Sequence, residues 1–266
     1  MGEFQPLSAE ILSAALAPVE RGVFGLSLVH QSQVASTNDF LRELAVQGAP
    51  EGAVVIADEQ TAGRGRLGRV WVSPPNANLM FTTLFRPSLP PDLALRLVMV
   101  AGLSIAEACE EIAGVKVDVK WPNDLQIDGK KFVGILPESS LTGDRLDYVL
   151  IGAGVNVNQR FDQADPLFET ATSLRMACGD MIDRAPLFAL IMQNCHRWHA
   201  HLSDRDLLDA WRERCVTLGQ RVRALSPQGM ISGLAHDIGG NGALFLKDDS
   251  GNIHFVHASE ATILRD

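Results

Sequence analysis

Between Gly63 and Trp71 the chain reads Gly-Arg-Gly-Arg-Leu-Gly-Arg-Val-Trp, with three glycines and three arginines inside residues 63–69. Such a run cannot be the interior of a helix or a strand. Its glycines allow tight backbone conformations and close approach to a ligand. Each guanidinium offers a planar fork of donors that matches a phosphate or a carboxylate. The segment is therefore predicted to be an anion-binding loop, mobile when empty because nothing apolar in it can be buried. Gly63, Gly65 and Gly68 also satisfy the dinucleotide pattern G-x-G-x-x-G, but that pattern has meaning only between a strand and the helix it opens. Here residues 58–62 separate the apolar run Ala53–Ala57 from the first glycine, and Val70-Trp71-Val72-Ser73-Pro74-Pro75 is β-like and then broken by prolines. A dinucleotide fold is set aside on that context.

The rest of the chain sharpens the contrast. Its formal charge is −9, from 23 basic and 32 acidic residues. That balance argues against a general nucleic-acid binder, which needs a basic face to displace counterions, and it makes Arg64, Arg66 and Arg69 a local concentration of positive charge. With 266 residues, 46% of them apolar, there is material for one large domain and a small one. No apolar run is long enough for a bilayer span. Met1–Gln5 carries no basic stretch ahead of an apolar one, so no secretory signal and no membrane are expected, and the location is predicted to be cytoplasmic. Cys109, Cys178, Cys195 and Cys215 form no C-x-x-C and read as reduced thiols. Cys195, His196, His199 and His201 gather on one predicted helix, a cluster better explained by chance than by a metal.

Periodicity places the elements. A short helix is predicted at Ala9–Leu16, stopped by Pro18, and a strand at Leu26–Val29. Ser36 with Asp39 resembles a capping box opening a helix whose apolar face is Phe40, Leu41, Leu44 and Ala45, ended by Gly48. Ala53–Asp58 and Leu79–Phe85 read as strands and Leu93–Ala113 as the longest helix. Val115–Trp121 alternates as a strand and is broken by Pro122-Asn123-Asp124. Leu125–Ile127 and Phe132–Leu136 form a hairpin about Asp128-Gly129, and Tyr148–Asn156 is a further strand. Helices return at Arg184–Leu202 and Arg205–Thr217. After Gly219, five short runs (Arg221–Leu225, Met230–His236, Ala243–Lys247, Ile253–His257, Ala261–Leu264) suggest a small β-barrel. The chain divides accordingly into an N-terminal extension (1–24), a catalytic domain (25–217) and a C-terminal barrel (219–266).

Four polar segments fall at strand ends or turns: Ser36–Asn38, Gln60–Trp71, Lys120–Asp124 and Lys131–Gly134. They are rich in cationic donors and contain no nucleophile–base pair. That inventory suits chemistry in which charge on phosphate or carboxylate oxygens must be stabilised. In this order, Gly63-Arg-Gly-Arg-Leu-Gly-Arg69 with Trp71, Lys120-Trp-Pro-Asn-Asp124, Lys131-Phe-Val-Gly-Ile-Leu136 and Gly152-Ala-Gly-Val-Asn156 resemble the motifs of biotin–protein ligases, from about Ser36 to the C-terminal end.

The resemblance implies an α+β fold: a mixed α/β sheet with flanking helices, the class II synthetase-like biotin/lipoate ligase catalytic domain, followed by an SH3-like β-barrel. It implies biotin and ATP as substrates with Mg²⁺, and a two-step reaction through biotinyl-5′-AMP to an amide on a lysine of a biotin carboxyl carrier domain. Lys131 and Arg66 are implied to be catalytic. Ser36, Thr37, Asn38, Gln60, Arg64, Gly65, Arg66, Lys131, Gly134 and Gly152 are implied to hold biotin. Arg64, Arg66, Arg69, Trp71, Asn123, Lys131 and Asn156 are implied to hold the nucleotide, with Asp124 toward Mg²⁺. Gly154, with Gly134 and Gly152, leaves room for a flat ligand. Trp121 reads as core, and Asn156 equally as a turn residue. Pro137 departs from the family pattern and puts in question how far its strand pairs. The winged helix of members that repress transcription is missing, so no DNA binding is expected; a homodimer is left open. The readings beside this one are lipoyl or octanoyl attachment on the same fold, and a biotin-sensing regulator.

Overall fold

A computed structural model describes residues 4–226, 229–258 and 262–264. Its centre is a seven-stranded sheet built from β1 (Leu28–Gln31), β2 (Val54–Ala57), β3 (Leu79–Phe85), β4 (Asp118–Lys120), β5 (Asp124–Ile127), β6 (Lys130–Thr142) and β7 (Arg145–Val155). The strand order is β1-β2-β3-β7-β6-β5-β4, with β1 and β2 parallel and every other pair antiparallel. Successive side chains of a strand face opposite ways, and β2 and the Val149–Val155 part of β7 separate on that rule. Val54, Ile56, Val149, Ile151, Ala153 and Val155 join the large core under the helices α1 (Ala9–Leu16), α3 (Leu95–Ala113) and α5 (Arg184–Ala200). Val55, Leu84 and Leu150 pack instead under α2 (Thr37–Val46) with its Leu41 and Ala45. Thr82, Gly152 and Gly154 share this second face by parity.

Two expectations are corrected below. Within residues 1–24, Leu7, Leu12 and Leu16 are core residues. The backbone of Gln5 and Leu7 is held by the buried pair Arg184–Asp58, whose Nη1 and Oδ1 are 2.9 Å apart. The hydrogen bonds satisfy both charges, as burial requires. Pro137 does not shorten its strand. β6 pairs with β7 from Val133↔Val155 through Thr142↔Arg145. Ile135 directs its N–H to Asn123, on the β5 side, so Pro137 two residues on directs its missing donor to the same side, where β5 has already ended. The strand expected at Val115–Trp121 is confined to Asp118–Lys120, because Trp121 leaves the ladder for the core and donates its indole N–H to Gly242 O at 2.9 Å.

The C-terminal domain is an antiparallel sheet of β8 (Arg221–Ser226), β9 (Gly229–Ile238), β10 (Leu244–Lys247), β11 (Ile253–Val256) and β12 (Thr262–Leu264) in the order β11-β10-β9-β8-β12. This agrees with the SH3-like form expected, though no pairing between β11 and β12 closes it among the described residues. It is docked on the first domain by Trp121 and by Arg96, whose Nε donates to Gly240 O at 2.9 Å. Two further helices complete the first domain: α4 (Leu174–Cys178), which the sequence reading did not identify, and α6 (Arg205–Arg214). Trp211 of α6 is buried against Gly102 of α3, where a Cβ would stand 2.5 Å from the indole.

His199 sits with its ring 5.2 Å from that of Phe24 and 5.7 Å from that of Phe85. Burial, aided by His196, lowers its pKa; Glu51, 3.5 Å from Nε2, opposes this. Among the described residues no group of histidine, cysteine or acidic side chains is placed to hold a metal. Because the folded form favours neutral His199, the unfolded chain binds the extra proton first, and the stability due to this site is lost as pH falls from about 6.5. We expect the denaturation midpoint to drop between pH 7.5 and pH 5.5 and that drop to be smaller in His199→Gln. An equal drop in both would remove His199 as its source.

Candidate active site

The site lies on the α2 face of the sheet. Ser36, Thr37 and Asn38, all buried, begin α2. Ser36 does not cap the helix with its side chain as the capping box requires, and Asp39 turns outward to Arg42 and Arg64. The free N–H of Thr37 is instead satisfied from the loop after β2, where Gln60 Oε1 accepts it at 2.8 Å and also lies 3.0 Å from Thr37 Oγ1.

The floor beside them is glycine for a steric reason. Thr82, Gly152 and Leu136 lie side by side across three strands, as do Met80, Gly154 and Gly134. A Cβ on Gly152 would lie 2.2 Å from Asn38 Oδ1; on Gly154 or Gly134 it would lie 2.5 or 2.8 Å from the Trp71 indole. The absent side chains make the space in which Asn38 and Trp71 sit.

Residues 63–71 close on themselves as a small hairpin. Gly65 N donates to Arg69 O at 2.7 Å and Trp71 N to Gly63 O at 3.0 Å, and its tip is a short 3-10 turn at Arg66–Gly68 with Leu67 and Gly68 at φ of 57° and 73°. The unstructured empty loop expected from composition is thus replaced by a self-hydrogen-bonded one.

Its arginines diverge. Arg64 grips Asp39 with both Nη atoms at 2.7 and 2.8 Å and reaches Glu138 at 3.1 Å. Hydrogen bonding from Arg64 holds the Asp39 carboxyl below the usual carboxylate range. Arg66 turns the other way, donating to Asn123 Oδ1 at 2.9 Å and to the carbonyl of Ala258 in the C-terminal domain. Burial lowers its pKa, opposed by the charge of Asp124. Arg69 is exposed at the rim.

Lys131, the second residue of β6, stands opposite them. Its Nζ is 2.7 Å from Asp124 Oδ1 and 5.5 Å from the centre of the Trp71 ring. Asn123 is held by its Nδ2 on Ile135 O, and Asn156 by its Nδ2 on Thr172 O. A cavity of about 540 Å³ runs between these groups, within the usual range for a small-molecule site. It is lined by every residue singled out from the sequence for biotin or nucleotide, together with Asp124 and Gly154. The sequence reading missed Thr82, the acidic partners of Arg64, the Ala258 carbonyl and the segment Leu167–Ala171 at the rim. Only Thr82 left a trace, as a hydroxyl pair with Thr83 in an otherwise apolar strand.

One end of the cavity is neutral and rich in hydroxyl and amide groups; the other is cationic. With the sheet order, this defines a domain of the biotin/lipoate ligase type. The comparisons agree. Residues 30–156 match the Biotin/lipoate A/B protein ligase family and residues 217–262 the Biotin protein ligase C terminal domain. The chain is 33% identical over 223 residues to a biotin–[acetyl-CoA-carboxylase] ligase of Paracoccus denitrificans, covering 81% of this chain and 92% of that one. It is 37% identical over 233 residues to the bifunctional ligase/repressor BirA of Bacillus spizizenii, covering 86% and 72%. A solved biotin protein ligase from Aquifex aeolicus, in complex with biotin and ATP, superposes with a TM-score of 0.78 at 30% identity over 91% of this chain and all of that one.

The chain belongs to the biotin protein ligase family. It is a ligase enzyme whose substrates are biotin and ATP.

Proposed function

We propose that this chain condenses biotin with ATP and then transfers the biotinyl group to a lysine of a biotin carboxyl carrier domain. The observation that carries the reading is that one cavity joins a neutral hydrogen-bonding end to a cationic end. Biotin's ureido head suits the neutral end at Ser36, Thr37, Asn38 and Gln60. Its carboxylate then lies toward Arg66 and Lys131, where the α-phosphate of ATP must also come. A carboxylate oxygen attacks the α-phosphorus, the bond to the β-phosphate breaks, and pyrophosphate leaves. The acceptor amine then attacks the acyl carbon, AMP departs and the amine loses a proton.

Two anions must meet for the first step, and preorganised cations in a site that excludes water oppose their repulsion. Arg64, Arg66, Arg69 and Lys131 supply that charge, Arg64 after exchanging Asp39 and Glu138 for a ligand oxygen. Trp71, Asn123 and Asn156 border the nucleotide's side of the cavity. Mg²⁺ arriving with ATP prefers a carboxylate plus phosphate oxygens, and Asp124, beside Lys131, is a carboxylate lining this cavity. The test is incubation with labelled biotin, MgATP and a carrier domain: acid-stable label on the carrier is the expected result, and label on neither protein would refute the reading. Octanoyl transfer without biotin transfer would favour the lipoate side of the wider family. Duplex DNA is expected to give no shift in a gel.

Arg66→Gly is expected to release the adenylate. Arg66 ties the hairpin to Asn123 and to Ala258, so glycine there unlatches the cover over a reactive anhydride. Chromatography of the solution after a single turnover should find more free biotinyl-AMP than with the unaltered enzyme. Equal amounts would contradict this role.

A further inference from the structure

Thr82 is buried in β3 beneath the start of α2, and no reaction step uses it. Its Oγ1 lies 2.6 Å from Asn38 Oδ1 and 2.8 Å from Thr37 Oγ1, which continues at 3.0 Å to Gln60 Oε1. These four oxygens form a chain with three contacts. The two threonine hydroxyls supply only two hydrogens. With Asn38 Oδ1 facing Thr82, one contact therefore lacks a proton, while Asn38 Nδ2 is buried without a partner.

The far end of the chain is fixed. The backbone N–H of Thr37 donates to Gln60 Oε1 at 2.8 Å, so that oxygen must remain an acceptor and Gln60 Nε2 a donor. Turning the Asn38 carboxamide by 180° about its last torsion resolves the count, since its N and O ends have nearly the same shape. Nδ2 then donates to Thr82, Thr82 to Thr37, and Thr37 to Gln60. All three contacts carry a hydrogen, and Asn38 Oδ1 becomes the unused group.

We propose that Thr82 is a positioning residue that sets the polarity of the ureido subsite, relaying orientation from Gln60 to Asn38 so that the subsite offers an amide donor at Gln60 and an amide acceptor at Asn38. A cyclic urea presents the complement, one carbonyl acceptor flanked by N–H donors. A medium-chain acyl group has no such groups and gains nothing from the arrangement. Thr82 is thereby a specificity determinant, acting through Asn38 rather than by touching the ligand. This rests on the biotin reading above.

The test compares Thr82→Val, which removes the hydroxyl at nearly constant shape, with Thr82→Ser, which keeps it. Biotin Kd is measured by calorimetry without ATP, and ATP KM and kcat by pyrophosphate release at saturating biotin. A lost buried hydrogen-bond relay corresponds to about a 10- to 100-fold rise in Kd. We expect that rise for Thr82→Val in biotin Kd alone, with Thr82→Ser close to the unaltered enzyme and with octanoate, as a competitor lacking a urea, showing no difference among the three. Thr82→Ala gives the same reading if valine prevents folding. Failure of the unaltered enzyme to bind biotin would overturn the parent reading. Normal binding by that enzyme together with unchanged Kd in Thr82→Val, a matching loss in Thr82→Ser, or a matching loss in ATP KM would overturn the proposal alone.

Discussion

Lys131→Ala should slow biotin-dependent pyrophosphate release by about 10²–10³, the usual effect of losing one preorganised charge-stabilising donor, about 2.7–4 kcal/mol. The size follows from where the amine stands. Lys131 is fixed at the start of β6 by backbone bonds to Thr170 and Thr172, so its root does not drift. Its Nζ is close to three features that would frame the reacting groups: the Asp124 carboxylate, the Trp71 ring and the bare backbone of Gly134, where a Cβ would lie 3.2 Å away. An alanine leaves Asp124 uncompensated where two anions must approach, adding repulsion to lost attraction. Biotin affinity in the absence of ATP should change less than the rate, since the ureido end does not involve Lys131. A near-normal rate would exclude it as the group that neutralises the developing charge.

Gly154→Ala should lower kcat/KM for both substrates by about ten- to a hundredfold while the protein stays folded. A Cβ there would lie 2.5 Å from Trp71 Cε2 and 2.6 Å from its Nε1. Gly154 cannot retreat, because β7 is paired to Met80 on one side and to Gly134 on the other. The indole must move, and with it the hairpin it closes. Overpacking of this kind costs about 1–3 kcal/mol, here falling on the site instead of the main core. Trp71→Phe reduces the crowding, so Gly154→Ala should cost less in that background. Additive losses in the double-mutant cycle would show that the two residues do not collide.

Much of the scaffold was legible from local pattern. Leu79–Phe85 and Ala9–Leu16 were read with the bounds the structure gives, because each is a self-contained apolar run with clear stops. The hairpin at Asp128-Gly129 was legible because both residues take positive φ, 49° and 76°, as its turn type demands. The cavity's lining was legible because the motifs themselves are unusual in composition. What escaped depends on partners distant in sequence. Ser36 looked like a cap, but Gln60 reaches across from another loop to do that work. Arg64 looked like a ligand for phosphate, and nothing local reveals that Asp39 and Glu138 hold it. Pro137 looked like a strand end because only the sheet order shows that its missing donor faces an open edge.

The central claim is that a vitamin carboxylate and the α-phosphate of ATP are brought together in one cationic cavity. Isotope exchange between labelled pyrophosphate and ATP, measured with the acceptor domain left out, tests it most directly. Exchange that appears only when biotin is present, and that Lys131→Ala suppresses by about 10²–10³, is the expected result. Exchange without biotin, or none with it, would contradict the claim.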